Sequence, residues 1–141
     1  MSATTNSKKV AQPIFKVIPD TVYRRRIVLV VGDHELSRAQ VEKKYNVDID
    51  SIAEDNRGCF TKIDGKSSSM YLMWLDSYDG GAQDVSVLAH EVLHLTFSVM
   101  KTVGIKFNSG SEEAFTYYLD SIVRNSMIAL KHTKCKKETI R

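Results

Sequence analysis

An amphipathic pattern in the second half of the chain predicts a long helix. Five apolar residues recur there at steps of three and four positions, namely Leu88, Val92, Leu95, Val99 and Val103. Asp84 is placed to act as the N-cap and Gly104 as the C-cap, with neither glycine nor proline between them. Residues 84–103 are therefore expected to form a helix whose apolar stripe faces the core.

A second amphipathic segment follows and predicts a neighbouring helix. Ser109 and Glu112 fit a capping box, in which Ser109 is the N-cap and Glu112 the third helical residue. The apolar flank of this segment consists of Ala114, Phe115, Tyr118, Leu119, Ile122, Val123 and Ala129. Its polar face, at positions i, i+4, i+7 and i+11, consists of Glu113, Tyr117, Asp120 and Arg124.

The first half of the chain predicts short strands around one helix. Strands are expected at residues 15–18, 27–31, 58–63 and 70–75, and a helix at residues 36–45. The run at 27–31 is continuously apolar and rich in β-branched residues, which is typical of a strand buried on both faces. The last two strands flank a polar loop and predict an antiparallel hairpin. This order of elements predicts an α+β fold, in which a small, mostly antiparallel sheet packs on the two later helices.

Length and composition predict one soluble globular domain. The chain has 141 residues, of which 43% are hydrophobic and 26% charged. We assign residues 1–12 to a flexible N-terminal tail, 13–130 to the domain and 131–141 to a basic C-terminal tail. No apolar run is long enough to span a membrane, and the N-terminal residues lack the apolar core of a signal peptide. We therefore expect no membrane partner and no secretion by a signal peptide.

The net charge of +3 is concentrated in the C-terminal tail. Residues 131–141 contain five lysine or arginine residues and one glutamate, a charge of +4, so the remainder of the chain carries −1. A basic tail can bind nucleic acid or an acidic partner, but it also keeps a protein soluble, and we favour that role over nucleic-acid binding. Cys59 and Cys135 make no disulfide framework and lack metal-ligand spacing, so they are interpreted as free thiols.

The candidate chemistry lies within the first of the two later helices, at His90, Glu91 and His94. Histidines four residues apart on a helix lie one turn apart on the same face, so the two imidazoles can hold one Zn²⁺. Glu91 lies beside them, where it can take a proton from a zinc-bound water. Histidines on a helix are also found simply packed and hydrogen-bonded, but the paired spacing with a glutamate between them favours zinc.

A catalytic zinc needs a third protein ligand and an open fourth position. The first turn of the next helix offers Glu112 and Glu113. Glu113 shares its face with Tyr117 and Asp120, whose polar groups could support a ligand. Acidic residues in a first turn also interact favourably with the helix dipole, so the residues alone leave the third ligand open.

The chain resembles the gluzincin metallopeptidases, in which a glutamate on the helix after His-Glu-x-x-His completes the zinc site. Eighteen residues separate His94 from Glu113, an interval similar to that in gluzincin aminopeptidases, and Glu113-Ala114-Phe115-Thr116 is similar to that family's Glu-Gly-Phe-Ala segment. The resemblance implies that Glu113 joins His90 and His94 as a ligand of Zn²⁺. It also implies that Glu91 acts as the general base of peptide hydrolysis.

The same resemblance implies a minimal zincin-like core without the second lobe of full-size gluzincins. Larger relatives use a tyrosine or histidine to stabilise the oxyanion, and Tyr117 and Tyr118 are the candidates near Glu113. Tyr117 is preferred because it lies on the polar face. In zincins a sheet-edge strand pairs with an extended peptide substrate, and residues 70–76, just before the motif helix, are the candidate for that strand.

More narrowly, the chain is similar to small His-Glu-x-x-His proteins encoded by tailed bacteriophages. The residues that carry this similarity are 87–94 and 112–119. It implies a metallopeptidase acting on peptide or protein substrates. The alternative is a structural component of the head-tail or tail region of the phage particle, in contact with other virion proteins, whose zinc site need not be active. Both roles imply the host cytoplasm or the virion as the location.

Overall fold

Four strands and three helices make up the described part of the chain, residues 11–49, 57–65 and 68–131 of the computed structural model. In chain order they are β1 (Ile14–Ile18), β2 (Arg26–Val31), α1 (His34–Tyr45), β3 (Gly58–Asp64), β4 (Ser69–Leu75), α2 (Ala82–Val103) and α3 (Glu112–Leu130). Every predicted strand and helix is present, and the α+β class is confirmed. Residues 1–10 and 132–141, which contain Cys135 and nearly all of the two predicted tails, lie outside the described residues. None of the described helices is long and apolar enough to cross a membrane.

The strands form one mixed sheet in the order β1-β2-β4-β3. β2 and β4 are parallel neighbours at the centre, whereas β1 pairs antiparallel with β2 and β3 pairs antiparallel with β4. The predicted hairpin is confirmed, with Gly58 opposite Leu75. The expectation that residues 70–76 form an edge strand is wrong, because β4 lies in the interior of the sheet and β3 is the edge strand beside it.

The burial of β4 explains its central position. Six of its seven residues, 70–75, are buried. A strand with apolar side chains on both faces needs cover on both faces, and a neighbour on each side satisfies its backbone hydrogen bonds. In β3 only Gly58 is buried, and polar side chains such as Lys62 and Asp64 suit an edge strand.

The sheet separates two hydrophobic clusters because side chains alternate between its faces. One face packs against α2 and α3 through Ile27, Leu29, Val31, Tyr71, Met73 and Leu75. The opposite face packs against Val41 of α1 through Val28, Val30, Leu72 and Trp74. The helix that carries the candidate metal ligands therefore lies on the first face.

The start of α2 differs from the predicted cap at Asp84. α2 begins at Ala82 with Gly81 as its N-cap, and Asp84 lies inside the first turn, only 7% exposed. Its carboxylate accepts hydrogen bonds from the Arg57 guanidinium and from the Asp79 amide, both at 2.8 Å. The predicted cap is wrong because Asp84 binds groups from outside its own helix.

The start of α3 also differs from the prediction. Its N-cap is Ser111 rather than Ser109, and the predicted capping box is not formed. The Ser111 hydroxyl instead accepts a hydrogen bond from the Asn108 amide at 3.0 Å, so it closes the turn before the helix. The predicted C-cap of α2 is confirmed, since Gly104 has a left-handed φ of +81° that a glycine adopts without strain.

Asp20 anchors α3 to the turn between β1 and β2. The Tyr118 hydroxyl donates a buried hydrogen bond of 2.8 Å to the Asp20 carboxylate. The same carboxylate accepts hydrogen bonds from the backbone amides of Val22, Tyr23 and Arg25, at 3.0–3.1 Å. Burial raises the pKa of Tyr118 above the ordinary value of tyrosine, so its hydroxyl stays protonated and remains a donor. One carboxylate thus closes the turn and fixes the position of α3.

Tyr118→Phe should lower the free energy of unfolding by about 2 kcal/mol, because the buried Asp20 carboxylate loses a donor. Tyr117→Phe is the matched control, since Tyr117 is 69% exposed, and it should change the same quantity by less than about 0.5 kcal/mol. Urea denaturation curves of the two variants and the wild type measure both values. Equal stability of the two variants would contradict the anchoring role of Asp20.

Candidate metal centre

The buried stripe of α2 determines which of its side chains face outward. Four of its five members are fully buried, namely Leu88, Val92, Leu95 and Val99, and Val103 is partly buried. Successive residues of an α-helix are rotated by about 100° around its axis. His90 and His94 consequently lie away from the stripe and are exposed, whereas Glu91 lies between the exposed side and the core.

The two histidines converge on a single point. Their Nε2 atoms are 3.1 Å apart, with the ring planes inclined at 74°. Two imidazole nitrogens that bind one Zn²⁺ tetrahedrally, at about 2.0–2.1 Å each, are separated by about 3.3 Å. The spacing of the pair therefore fits a shared zinc ion. It also fits a hydrogen bond between neutral imidazoles, in which one ring donates and the other accepts.

Glu91 occupies a narrow space between α2 and the start of β3. It is 6% exposed. Gly58, the first residue of β3, approaches so closely that a Cβ there would lie 3.1 Å from Cγ and 3.2 Å from Oε1 of Glu91. Burial raises the pKa of Glu91, and the neighbouring His90 and His94 partly oppose this shift. The carboxylate is therefore a stronger base than an exposed glutamate.

A cavity of about 280 Å³ opens beside His90 and Glu91. Its walls come from α2 and the beginning of β3, through Arg57, Gly58, Ser86, Val87, His90 and Glu91. Arg57 is held by ion pairs to Asp84 at 2.8 Å and to Asp76 at 3.6 Å. The cavity thus brings the edge strand β3, the guanidinium of Arg57 and the candidate base Glu91 together beside the histidine pair.

The predicted third ligand, Glu113, is exposed in the first turn of α3, on the face that it shares with Tyr117. Within the part of the chain that the structure describes, no group of three or more His, Cys, Asp or Glu side chains could hold a metal ion. Glu112 lies on the same side of α3 as Phe115, whose ring centroid is 5.6 Å from that of Phe97 on α2. Glu113 as a ligand stays a prediction, and the helix faces make Glu112 its alternative.

The two tyrosines considered for oxyanion stabilisation have different surroundings. Tyr118 is buried and its hydroxyl is bound to Asp20, so the side chain has a structural role. Tyr117 is 69% exposed on the outer face of α3, one turn beyond Glu113. Its hydroxyl is therefore accessible to a ligand, and its catalytic role stays a prediction.

Gly58 and Arg57 belong to the site although their roles were not predicted from the sequence. A glycine inside a strand pattern often marks a close approach by another part of the chain, and this signal points to Gly58. Arg57 carries no comparable local signal. Its partners Asp76 and Asp84 are distant in sequence, and only the tertiary fold brings them to it.

Gly58→Ala should destabilise the fold and displace Glu91. The added Cβ would lie 2.7 Å from Cγ1 of Val87, closer than non-bonded carbon atoms approach, which costs about 1–3 kcal/mol. The double variant Gly58→Ala/Val87→Ala removes the closest clash and should recover part of the lost stability in thermal denaturation. If the stability changes of Gly58→Ala and Val87→Ala simply add in the double variant, the contact between Gly58 and Val87 is not the cause of the destabilisation.

Glu91→Gln should be more stable than the wild type near neutral pH. A buried carboxyl with a raised pKa stabilises the fold in its protonated form, and this contribution is lost as the pH rises from the ordinary glutamate range through the raised pKa. Glutamine has a similar size and no charge, so the variant should unfold roughly 2–4 °C higher at about pH 7.5.

The difference should disappear at about pH 3.5, where the wild-type carboxyl is protonated as well. Thermal denaturation in buffer treated with a chelator, at several pH values between these two, measures the effect without a bound metal. A stability difference that does not change with pH would exclude the charge of Glu91 as its cause.

No protein-family model, curated protein or solved structure matches this chain at a significant level. The site is therefore interpreted from what its own residues can do. Two imidazole nitrogens converge at 3.1 Å, and a buried carboxyl with a raised pKa lies beside them at a cavity on the sheet edge. Two imidazoles and a neighbouring carboxyl suit metal-assisted hydrolysis, which also needs a third protein ligand.

Proposed function

We propose that the protein is a zinc-dependent metallopeptidase that hydrolyses peptide or protein substrates, with His90 and His94 as two of the zinc ligands. One observation carries the proposal: the Nε2 atoms of the two histidines converge to 3.1 Å beside the buried carboxyl of Glu91. Imidazole nitrogens at this spacing suit Zn²⁺. A glutamate next to the first histidine is the group that zinc hydrolases use as a base.

Glu91 and Tyr117 would carry the proton and hydrogen-bond chemistry. A bound Zn²⁺ would supply Lewis acidity toward the scissile carbonyl. Glu91 would accept a proton from the attacking water and later pass it to the leaving amine. Burial raises the pKa of Glu91 in the metal-free protein, and the charge of a bound Zn²⁺ would act in the opposite direction. Tyr117, proposed from the resemblance, would donate a hydrogen bond from its hydroxyl to the developing oxyanion.

The substrate would pair with the outer edge of β3. This strand is last in the order of the described sheet, and its first residue, Gly58, lines the cavity beside His90 and Glu91. An edge strand offers backbone N–H and C=O groups to which an extended peptide can add as a further strand. A peptide bound in this way would run past the histidine pair. β3 would take the role that the sequence suggested for residues 70–76.

The third zinc ligand would come from the first turn of α3. The resemblance favours Glu113, whereas the side of α3 that carries Phe115 and contacts α2 favours Glu112. Either carboxylate would complete a set of two imidazoles and one carboxylate, which leaves a coordination position for water or substrate. A direct comparison of the two single variants separates these assignments.

A second candidate function is a structural component of a phage particle with a zinc site that need not be active. The observation that favours it is an apolar surface on α3, where Met127 is 38% and Ile128 62% exposed. These side chains and Val123 line a cavity of about 520 Å³. Exposed apolar surface of this kind marks contact sites between proteins, and virion proteins would be the partners.

Protein purified without a histidine tag should bind one Zn²⁺ per chain, measured by mass spectrometry of metal content. His94→Ala should lose the metal, because a single imidazole and a carboxylate hold zinc poorly.

Glu91→Gln should retain zinc and lose hydrolysis of a mixed peptide library. Glu112→Gln and Glu113→Gln are compared for zinc affinity. The variant that removes the third ligand should weaken zinc binding at least about tenfold.

Circular dichroism of each variant controls for folding. Stoichiometric zinc in a His90→Ala/His94→Ala double variant would exclude the site. Zinc binding by the wild type without hydrolysis of any library peptide would contradict the peptidase proposal. Together with a fixed copy number of the chain in purified phage particles, that result would support the structural alternative.

A further inference from the structure

Three phenylalanine rings cluster at the end of α2, beyond the histidine pair. The ring centroids of Phe97 and Phe107 are 6.1 Å apart, and both rings lie against Phe115, at 5.6 and 5.0 Å. Phe115 is buried, but Phe97 is 46% and Phe107 60% exposed. A cavity of about 450 Å³, here named the aromatic pocket, is lined by these rings and by Lys101, Ile105 and Lys106.

The loop before α3 holds Phe107 in its exposed position. The Ser111 hydroxyl donates a hydrogen bond to the Lys106 carbonyl and accepts one from the Asn108 amide. The side chain of Asn108 in turn accepts hydrogen bonds from the amides of Gly110 and Ser111, at 2.8 and 3.0 Å. These bonds form the loop before any ligand binds, so binding in the pocket would need little further ordering.

The aromatic pocket continues the face of α2 that carries the histidines. His90, His94, Phe97 and Lys101 occupy positions i, i+4, i+7 and i+11. At a rise of about 1.5 Å per residue, Phe97 lies about 4.5 Å and Lys101 about 10.5 Å along the axis from His94. An extended peptide advances about 3.3 Å per residue, so one to three residues span these distances.

The charge of the aromatic pocket favours an acidic occupant. Its lining contains Lys101 and Lys106 and no carboxylate. The chain's own tails carry the wrong sign, since residues 131–141 have a charge of +4 and residues 1–10 contain two lysines and no acidic residue. A segment of another protein with Asp or Glu beside a large apolar residue fits both the rings and the lysines.

We propose that the aromatic pocket binds a peptide segment of a partner protein through a large apolar side chain, with adjacent Asp or Glu residues paired to Lys101 and Lys106. Phe97 and Phe107 provide exposed ring faces for the apolar side chain, and Phe115 forms the floor. The binding itself needs no metal. That the bound segment is also the substrate rests on the function proposed above, because its backbone would pass His94.

The probe is the peptide Gly-Ser-Phe-Asp-Glu-Ser-Gly, titrated into the full chain by isothermal titration calorimetry with EDTA present, so that no hydrolysis occurs. Two control peptides replace Phe by Ser, or Asp-Glu by Lys-Lys. Each control should bind at least about tenfold more weakly, since it lacks either the apolar anchor or the opposite charge. Added 0.5 M salt should weaken the acidic peptide selectively, because it screens exposed ion pairs.

Matched variants of the protein test the pocket itself. Phe107→Ala should raise the Kd about tenfold or more, whereas Val17→Ala, at a residue on β1 that is 72% exposed, should leave it unchanged. Lys101→Glu/Lys106→Glu should reverse the preference and bind the Lys-Lys peptide better than the acidic one. Because the titrations contain EDTA, peptide binding is measured without zinc, and a failed metal site does not imitate a failed pocket.

Equal affinity for the acidic and the Lys-Lys peptides would overturn the proposal, as would an unchanged Kd for Phe107→Ala. Sedimentation velocity measures whether the chain associates with itself, which is a second way to contradict the proposal. Self-association that Phe107→Ala abolishes, without binding of the acidic peptide, would identify a second copy of this chain as the occupant.

Discussion

The packing of the apolar stripe of α2 against the sheet is the constraint on which the candidate site depends. Leu88, Val92 and Leu95 are fully buried in the cluster between α2 and the sheet, which fixes the rotation of the helix about its axis. Since a helix advances by a fixed rotation and rise per residue, that packing also fixes the direction of His90 and His94. Residues that never contact a metal thus determine whether two imidazoles can share one. The histidines themselves contribute little to the fold, because both are exposed.

The close approach of β3 to α2 buries Glu91, whereas the neighbouring histidines stay exposed. Gly58 leaves room for Glu91 between the strand and the helix, and the ion pair of Arg57 with Asp84 ties the start of β3 to α2 two helical turns before Glu91. Glu91 is consequently removed from water while His90 remains in it. His90 and Glu91 are adjacent in the sequence, but the first is surrounded by water and the second by protein. Burial alone raises the pKa of the carboxyl, without any special partner.

Local patterns predicted the elements, but contacts between distant residues decided the details. In the part of the chain that the structure describes, apolar periodicity and continuous apolar runs located the three helices and four strands, because each element must bury apolar side chains. The parallel pairing of β2 and β4 left no local signal, so residues 70–76 were wrongly assigned to an edge. The predicted caps Asp84 and Ser109 were wrong for a related reason, since capping rules treat a helix end in isolation. The histidine pair was predictable because both members lie on one helix. The third ligand was not, because it depends on how α3 packs on α2.

Because Phe97 and Lys101 lie on the same helix as His94, the spacing between the histidine pair and the apolar anchor is set by helix geometry. Such a spacing cannot drift with loop motion. A peptide that places a large side chain in the aromatic pocket would therefore present a defined backbone position to the histidines. Exposed phenylalanine rings are unfavourable in water, and the hydrogen-bonded turn around Asn108 and Ser111 nevertheless holds Phe107 outward. Under the proposed function, a helix that packs one side on the core would carry both the chemistry and the means of selecting its substrate on the other.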